Sequence, residues 1–458
     1  MPLFESDDLI NWTQIGHVLT RKEQVMLEKI NSSGGVFAPT IRFNNGRFYM
    51  VTTNDTTREN FYVYTDDIRG EWSEAITVDQ GGIDPSLFFE NGKAYFMSTC
   101  GDGRDRNHIL QCEIDIATGE KHTESISLWT GTGGRYLESP HLYKIGDWYY
   151  LMAAEGGTEY GHMITCARAK SVWGPFEAFP HNPVLTNRDK APRMIQGIGH
   201  GDLIADKIGG WHILSLGFRQ IHKWMPYHHL GREVFLTPVT FDTDGFFTAG
   251  NDGTTEDSYE FPGDFTQNEQ RVFTFENTRW DLEWVFLRHP HTENYALAPD
   301  RAVLKGTKVT LDEADSPTFV GIRQRDFSGS TTVRVSLDAG EAGMTLYMSE
   351  SEHYEVALRR ENTALTAIVR LNIGDCKHLL TTQTLPAGME SALLTVRMNA
   401  FGYSFSVSAG DAVYELGGGQ TKYLSSEVSG GFTGVVIGLY AVGDNTAEFT
   451  DFRVEYTD

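Results

Sequence analysis

The first half of the chain writes one β-hairpin four times. APTIRFNNGRFYMVT from Ala38, DPSLFFENGKAYFMS from Asp84, SPHLYKIGDWYYLMA from Ser139 and HGDLIADKIGGWHILS from His200 each read as a strand, a glycine-centred turn and a second, aromatic strand. The aligned residues Pro39, Pro85, Pro140 and Gly201 are separated by 46, 55 and 61 residues, close to the length of a four-stranded propeller blade. Pieces such as FYVYTD and HMITCARAK, followed by GEWSEA or WGPFEAF, supply the outer strands. The opening PLFESDDLINWTQIG has the pattern of an outer strand pair, and a further step of 46 to 61 residues back from Pro39 falls upstream of Met1. The expectation is a five-bladed β-propeller whose first blade is incomplete at the N-terminus.

The texture changes after TAGNDGTTEDSYEFPGDFTQNEQ, an acidic, glycine-containing stretch that reads as a linker. Beyond it TTVRVSLD, GMTLYMSE, YEVALRR, ALTAIVRLN and AEFTDFRVEY alternate apolar and polar residues, the pattern of an antiparallel sandwich with one face of each sheet buried. The chain is therefore expected to be all-β, with residues 1–255 forming the propeller, 256–272 the linker and 273–458 a β-sandwich domain.

Charge narrows the partners. A net charge of -24 repels phosphate backbones and anionic lipid surfaces, so neither nucleic acid nor membrane is expected. A neutral substrate fits, and 12% aromatic residues supply platforms for sugar rings as well as a β core. Glu5, Asp7 and Asp8 stand where a secretory signal needs basic and then apolar residues, which points to a cytoplasmic protein. Cys100, Cys112, Cys166 and Cys376 are too scattered for a zinc site or a redox pair.

The first strand of every propeller blade lines the central channel, so the slots just before the aligned proline or glycine converge on one axis. Those slots hold Ala38, Asp84, Ser139 and His200, with Glu138 one residue before Ser139. Two carboxyls in such a channel can divide the work of glycosidic cleavage, one staying protonated because the other is charged. Either acid alone would more often be a turn opener or a solvated loop residue; recurrence at matched slots is what singles them out. Asp202, which follows the aligned Gly201, is expected to point away from His200's side of the strand or turn, and the adjacent His228 and His229 face opposite ways on a strand and are given no role.

At these residues the chain resembles glycoside hydrolase family 43, in the branch of β-xylosidases and α-L-arabinofuranosidases with a C-terminal concanavalin-like β-sandwich. The likeness is carried by FESDDLINWTQIGHVL, GGVFAPTIRFNNGRFYMVTTN, GGIDPSLFFENGKAYFM, LESPHLYKIGDWYYLMAAEGGTEYGHM, GIGHGDLI, LGREVFLTPVTFDTDGF and FVGIRQRDFSG. It implies an exo-acting inverting hydrolase of the EC 3.2.1 class, releasing terminal xylose or arabinofuranose from oligosaccharides of xylan and related plant polysaccharides. Glu138 would be the general acid and Asp84 the carboxylate that tunes it. Arg219 would hold sugar hydroxyls, and Phe37 and Phe327 would line the pocket. No cofactor is required, although His200 matches the family histidine associated with a calcium ion in the channel. The family's general base, an Asp in a DPS-type start of the first blade, has no counterpart in this sequence. Impaired hydrolysis follows, or, as the alternative, a carbohydrate-binding protein without catalysis; a homo-oligomer is left open.

Overall fold

The computed structural model describes residues 1–101, 107–221, 223–261, 270–273, 275–277 and 279–457. Its first compact unit comprises Met1–Met26, Gly34–His222 and Arg232–Asp264. Four antiparallel four-stranded sheets make up most of it, each in simple sequential order. Before them, β1 (Pro2–Glu5) and β2 (Thr13–His17) form a two-stranded sheet. The first full blade is β3 (Thr40–Asn44), β4 (Arg47–Asn54), β5 (Glu59–Thr65) and β6 (Ile76–Val78). The second is β7 (Ile83–Glu90), β8 (Lys93–Cys100), β9 (His108–Ile114) and β10 (Ile126–Trp129). The third is β11 (Glu138–Ile145), β12 (Trp148–Glu155), β13 (Met163–Ala169) and β14 (Glu177–Ala178). The fourth is β15 (Ile195–Ala205), β16 (Trp211–Arg219), β17 (Glu233–Phe241) and β18 (Phe247–Ala249).

The core lies between successive blades, which is why the middle strands are apolar on both faces. Tyr49, Val51 and Tyr62 of the first full blade pack on Leu87, Phe96 and Cys112 of the second. Tyr95, Met97 and Ile109 then meet Leu142, Leu151 and Ala153 of the third. Tyr150, Met152 and Ile164 meet Ile198, Leu203 and Ile213 of the fourth. Stacking blades face to face in this way holds the innermost strands β3, β7, β11 and β15 side by side.

The second unit comprises Leu27–Ser33, Lys223–Gly231 and Phe265–Asp458. Two antiparallel sheets form a concanavalin-like sandwich around one apolar core that includes Trp284, Leu346, Val356, Phe405, Leu439 and Phe452. Two short segments from the first half of the sequence group with it. Ser32 donates through its backbone and Oγ to Glu350, and His228 Nδ1 lies 2.8 Å from Glu427. His228 and His229 are both buried in this unit.

Candidate active site

Three of the four matched slots share one backbone device. Asp84, Ser139 and His200 have φ of 51°, 58° and 44°, and the ladder register shifts beside each of them, between Ile83 and Ser86, Glu138 and His141, and Gly199 and Gly201. A left-handed residue other than glycine costs about 1–3 kcal/mol and persists only where the surroundings enforce it. Repeated in three blades, the bulge turns the start of each inner strand and brings the flanking side chains together. Ala38, the fourth slot, has no left-handed backbone and no polar side chain.

Asp84 is buried, and its Oδ2 lies 3.7 Å from His200 Nδ1. The backbone N–H of Ser139 donates to its carboxylate, tying the second blade to the residue next to Glu138. Burial raises the Asp84 carboxyl to about 6, against the pull of the Arg232 guanidinium and the Ser139 bond. Burial and then the charge of Asp84 raise Glu138 further, to about 8, with Arg232 again opposing. Burial, reinforced by Arg232, lowers His200 to about 4, so its imidazole is neutral near pH 7. One half-buried arginine thus faces two carboxyls, and the pair holds a proton at neutral pH.

Beneath this group runs a second network that draws on three inner strands. Arg42 of β3 donates to Asp202 of β15 at 2.6 and 3.2 Å, and its guanidinium lies 2.8 Å from His141 Nδ1 of β11. The Tyr143 hydroxyl donates to Asp202 and accepts from the Leu203 N–H. Burial pushes the Asp202 carboxyl up, but Arg42 and His141 outweigh it and hold the group at about 2. The His141 ring stands 6.1 Å from that of His200, centre to centre. Asp202 does not turn away from His200: strand alternation places residues two apart on one face, and the Asp202 charge raises the His200 pKa.

The strand-to-strand loop before Glu138 is pinned by another buried acid. Glu155 of β12 accepts from the Thr132 N–H at 2.9 Å, the Gly134 N–H at 2.7 Å and the Thr165 hydroxyl at 2.9 Å. Gly131 has φ of +76°, and a Cβ on it would lie 2.9 Å from Glu155 Oε1. The Thr99 hydroxyl donates to the Leu137 carbonyl, fixing the peptide that leads into Glu138.

The structure brings Asp84, Glu138 and His200 together. Arg219 ends β16 in an ion pair with Glu233 at 2.9 Å. Phe37 is half-buried before β3, its N–H bonded to the Thr53 carbonyl. Phe327 belongs to the second unit, with its ring 5.5 Å from His229. Sequence reading missed Arg232, although LGREVF was in view; it lies in the connection between β16 and β17, which is longer than the corresponding connections of the other blades. The family resemblance implies a calcium ion near His200, associated through water; the side chains there do not by themselves supply its ligand shell. Calcium takes six to eight oxygens, whereas His200 offers a nitrogen beside Asp84 and the Arg232 cation. Among the described residues no group of three His, Cys, Asp or Glu could hold a metal.

A propeller whose inner strands converge on a proton-holding carboxyl pair beside an arginine has the equipment of a glycosidase. The sequence profile described as "Glycosyl hydrolases family 43" matches residues 1–247, and that of the "Beta xylosidase C-terminal Concanavalin A-like domain" matches residues 272–455. The chain belongs to glycosyl hydrolase family 43, and it is a glycosidase. It is 37% identical to "Non-reducing end alpha-L-arabinofuranosidase BoGH43B" of Bacteroides ovatus, over 99% of this chain and 88% of that protein. It is 31% identical to a "Xylosidase/arabinosidase" of Butyrivibrio fibrisolvens, over 99% of this chain and 92% of that one. A solved structure described as "Bacteroides ovatus Xyloglucan PUL GH43B" superposes with a TM-score of 0.93 at 36% identity, covering 100% of this chain and 93% of the other. The GH43 protein BlXynB from Bacillus licheniformis gives a TM-score of 0.90 at 29% identity, covering 99% and 92%.

Proposed function

We propose that the protein is an exo-acting, inverting pentosidase that removes terminal arabinofuranose or xylose from neutral oligosaccharides. The observation that carries the reading is the carboxyl pair. Glu138 holds its proton at neutral pH because burial and the Asp84 charge penalise its ionised form, so it can protonate the departing glycosidic oxygen. Asp84 keeps that proton available, and Arg232 limits the repulsion between the two acids. The activities for which the relatives are named, arabinofuranosidase and xylosidase, supply the sugar class.

An inverting reaction also needs a carboxylate on the opposite face of the sugar, roughly 6.5–9.5 Å from the acid, to activate water. Among the described residues no third carboxylate stands beside a left-handed slot except Asp202, which is engaged by Arg42 and Tyr143. We therefore expect these 458 residues by themselves to bind pentosides and cleave them slowly. The test is hydrolysis of nitrophenyl xyloside and nitrophenyl arabinofuranoside by this chain, compared with a version extended at the N-terminus by an Asp-bearing strand. A rate gain of roughly 10² or more in the extended form is expected. Full activity in the shorter form would place the base among the residues already present, and binding without turnover in both would favour a carbohydrate-binding protein.

A further inference from the structure

Tyr136 stands two residues before Glu138 in an unusual state. It is 48% exposed, and its φ is 54°. A bulky aromatic residue in the left-handed region is an outlier that the fold must enforce, and an exposed ring gains no core packing in return. Gly157, with φ of +80°, lies under the ring; a Cβ there would stand 3.1 Å from Tyr136 Cδ2. The Arg135 guanidinium lies 5.2 Å from the ring centre, and its Nε donates to the Gly156 carbonyl at 3.1 Å. The residue after Gly157 leads directly to the acids: the Thr158 hydroxyl accepts from Arg232 Nη1 at 3.1 Å. The whole loop is clamped by Glu155, so the ring is presented rather than left to fluctuate.

A general acid delivers its proton to the oxygen of the leaving group, and the loop that leads into Glu138 carries an exposed aromatic ring available to the part of the substrate that departs. We infer that the Gly131–Leu137 loop forms the leaving-group subsite, with Tyr136 as the aromatic platform for the neutral sugar ring that carries the terminal pentose. The inference rests on the pentosidase reading. It adds a specificity determinant to that reading: substrates whose leaving group is a sugar ring gain a contact that small leaving groups lack.

Binding measures this without requiring turnover. Isothermal titration of the 458-residue chain with xylose, xylobiose, arabinose and arabinobiose gives the advantage of a second ring. About a tenfold tighter Kd for the matching disaccharide is expected. Tyr136→Ala should erase that ratio while the monosaccharide still binds, which also shows that the variant is folded, and Tyr136→Trp should preserve it. A ratio unchanged in Tyr136→Ala, or no disaccharide advantage in the parent, overturns the platform. A parent chain that binds none of the four sugars removes the pocket reading and the platform with it.

Discussion

Asp84 Oδ2 lies 3.7 Å from Nδ1 of His200, and both residues occupy the same left-handed position in two different blades. Because the imidazole is neutral near pH 7, it does not supply the charge that balances Asp84; Arg232 does. The proton therefore stays on Glu138, whose pKa is the higher of the two.

Glu138→Gln keeps the size of the side chain and removes the transferable proton. Turnover of a pentoside with a poor leaving group should fall by about 10² or more, the usual worth of general acid catalysis. A pentoside with a good leaving group should lose less. Equal losses on both substrates would place Glu138 outside proton transfer.

The pH profile should be bell-shaped. Glu138 must be protonated, so kcat/KM falls as pH rises through about 8. Asp84 must be ionised to offset the positive charge of the oxocarbenium-like transition state, and kcat/KM falls as pH drops through about 6. The two limbs belong to the pair as a unit. A plateau extending down to pH ~4, the ordinary range of an exposed carboxyl, would contradict the burial that sets both values.

Arg232→Met should move the alkaline limb upward. The guanidinium lowers the pKa of both acids, so its removal raises them, and Glu138 keeps its proton to higher pH. The acid limb moves the same way, and kcat/KM at neutral pH falls. An unshifted profile would mean that the charge of Arg232 is not felt at the pair.

The repeat made the bulged slots legible, because Asp84, Ser139 and His200 recur at blade spacing and propeller symmetry does the rest. Residues outside the repeat were not. Arg219 and Arg232 are both arginines downstream of the fourth hairpin; Arg219 pairs with Glu233, while the charge of Arg232 is felt at both acids. Arg42 and Asp202 sit at unmatched offsets in their hairpins, so their pairing emerges only when β3 and β15 are brought together. Glu155 ends a strand that otherwise reads as plain core, and it becomes a loop anchor only once Thr132 and Gly134 fold over it. Leu27–Ser33 and Lys223–Gly231 read as propeller connections, yet they group with the sandwich through partners such as Glu350 and Glu427, roughly 200 to 320 residues away in sequence.

The sandwich carries its own pH dependence. His353 is fully buried, with Nε2 3.3 Å from Asp312 and 3.2 Å from Glu355. Burial alone would lower its pKa, but bonds to these two carboxylates raise it from 6.5 to about 9. A group whose folded pKa exceeds its unfolded one stabilises fully below the unfolded value and loses that stability as pH rises through the folded value. His353 should therefore contribute up to about 3 kcal/mol below pH 6.5, declining towards pH 9. In urea titrations, the stability gap between the parent and His353→Leu should shrink over that interval. A constant gap would mean that the imidazole is not charged in the fold.

Glu155→Gln tests whether the loop before the acid must be held. The carboxylate accepts on both oxygens, from the Thr132 N–H and the Thr165 hydroxyl on Oε1 and from the Gly134 N–H on Oε2. A glutamine can accept on only one, so its NH2 must face a donor whichever way the amide is turned. One buried donor is left unsatisfied, at a cost of about 1–3 kcal/mol, and the loop between Gly131 and Leu137 loosens. Thermal unfolding should shift down accordingly. Since the Leu137 peptide leads directly into Glu138, kcat should fall more for poor leaving groups than for good ones, while KM for the terminal pentose changes little. Glu155→Asp, which keeps the charge but shortens the reach, should fall between the parent and the Gln variant. A loss of stability with no dependence on the leaving group would make Glu155 a structural anchor whose effect stops short of the acid.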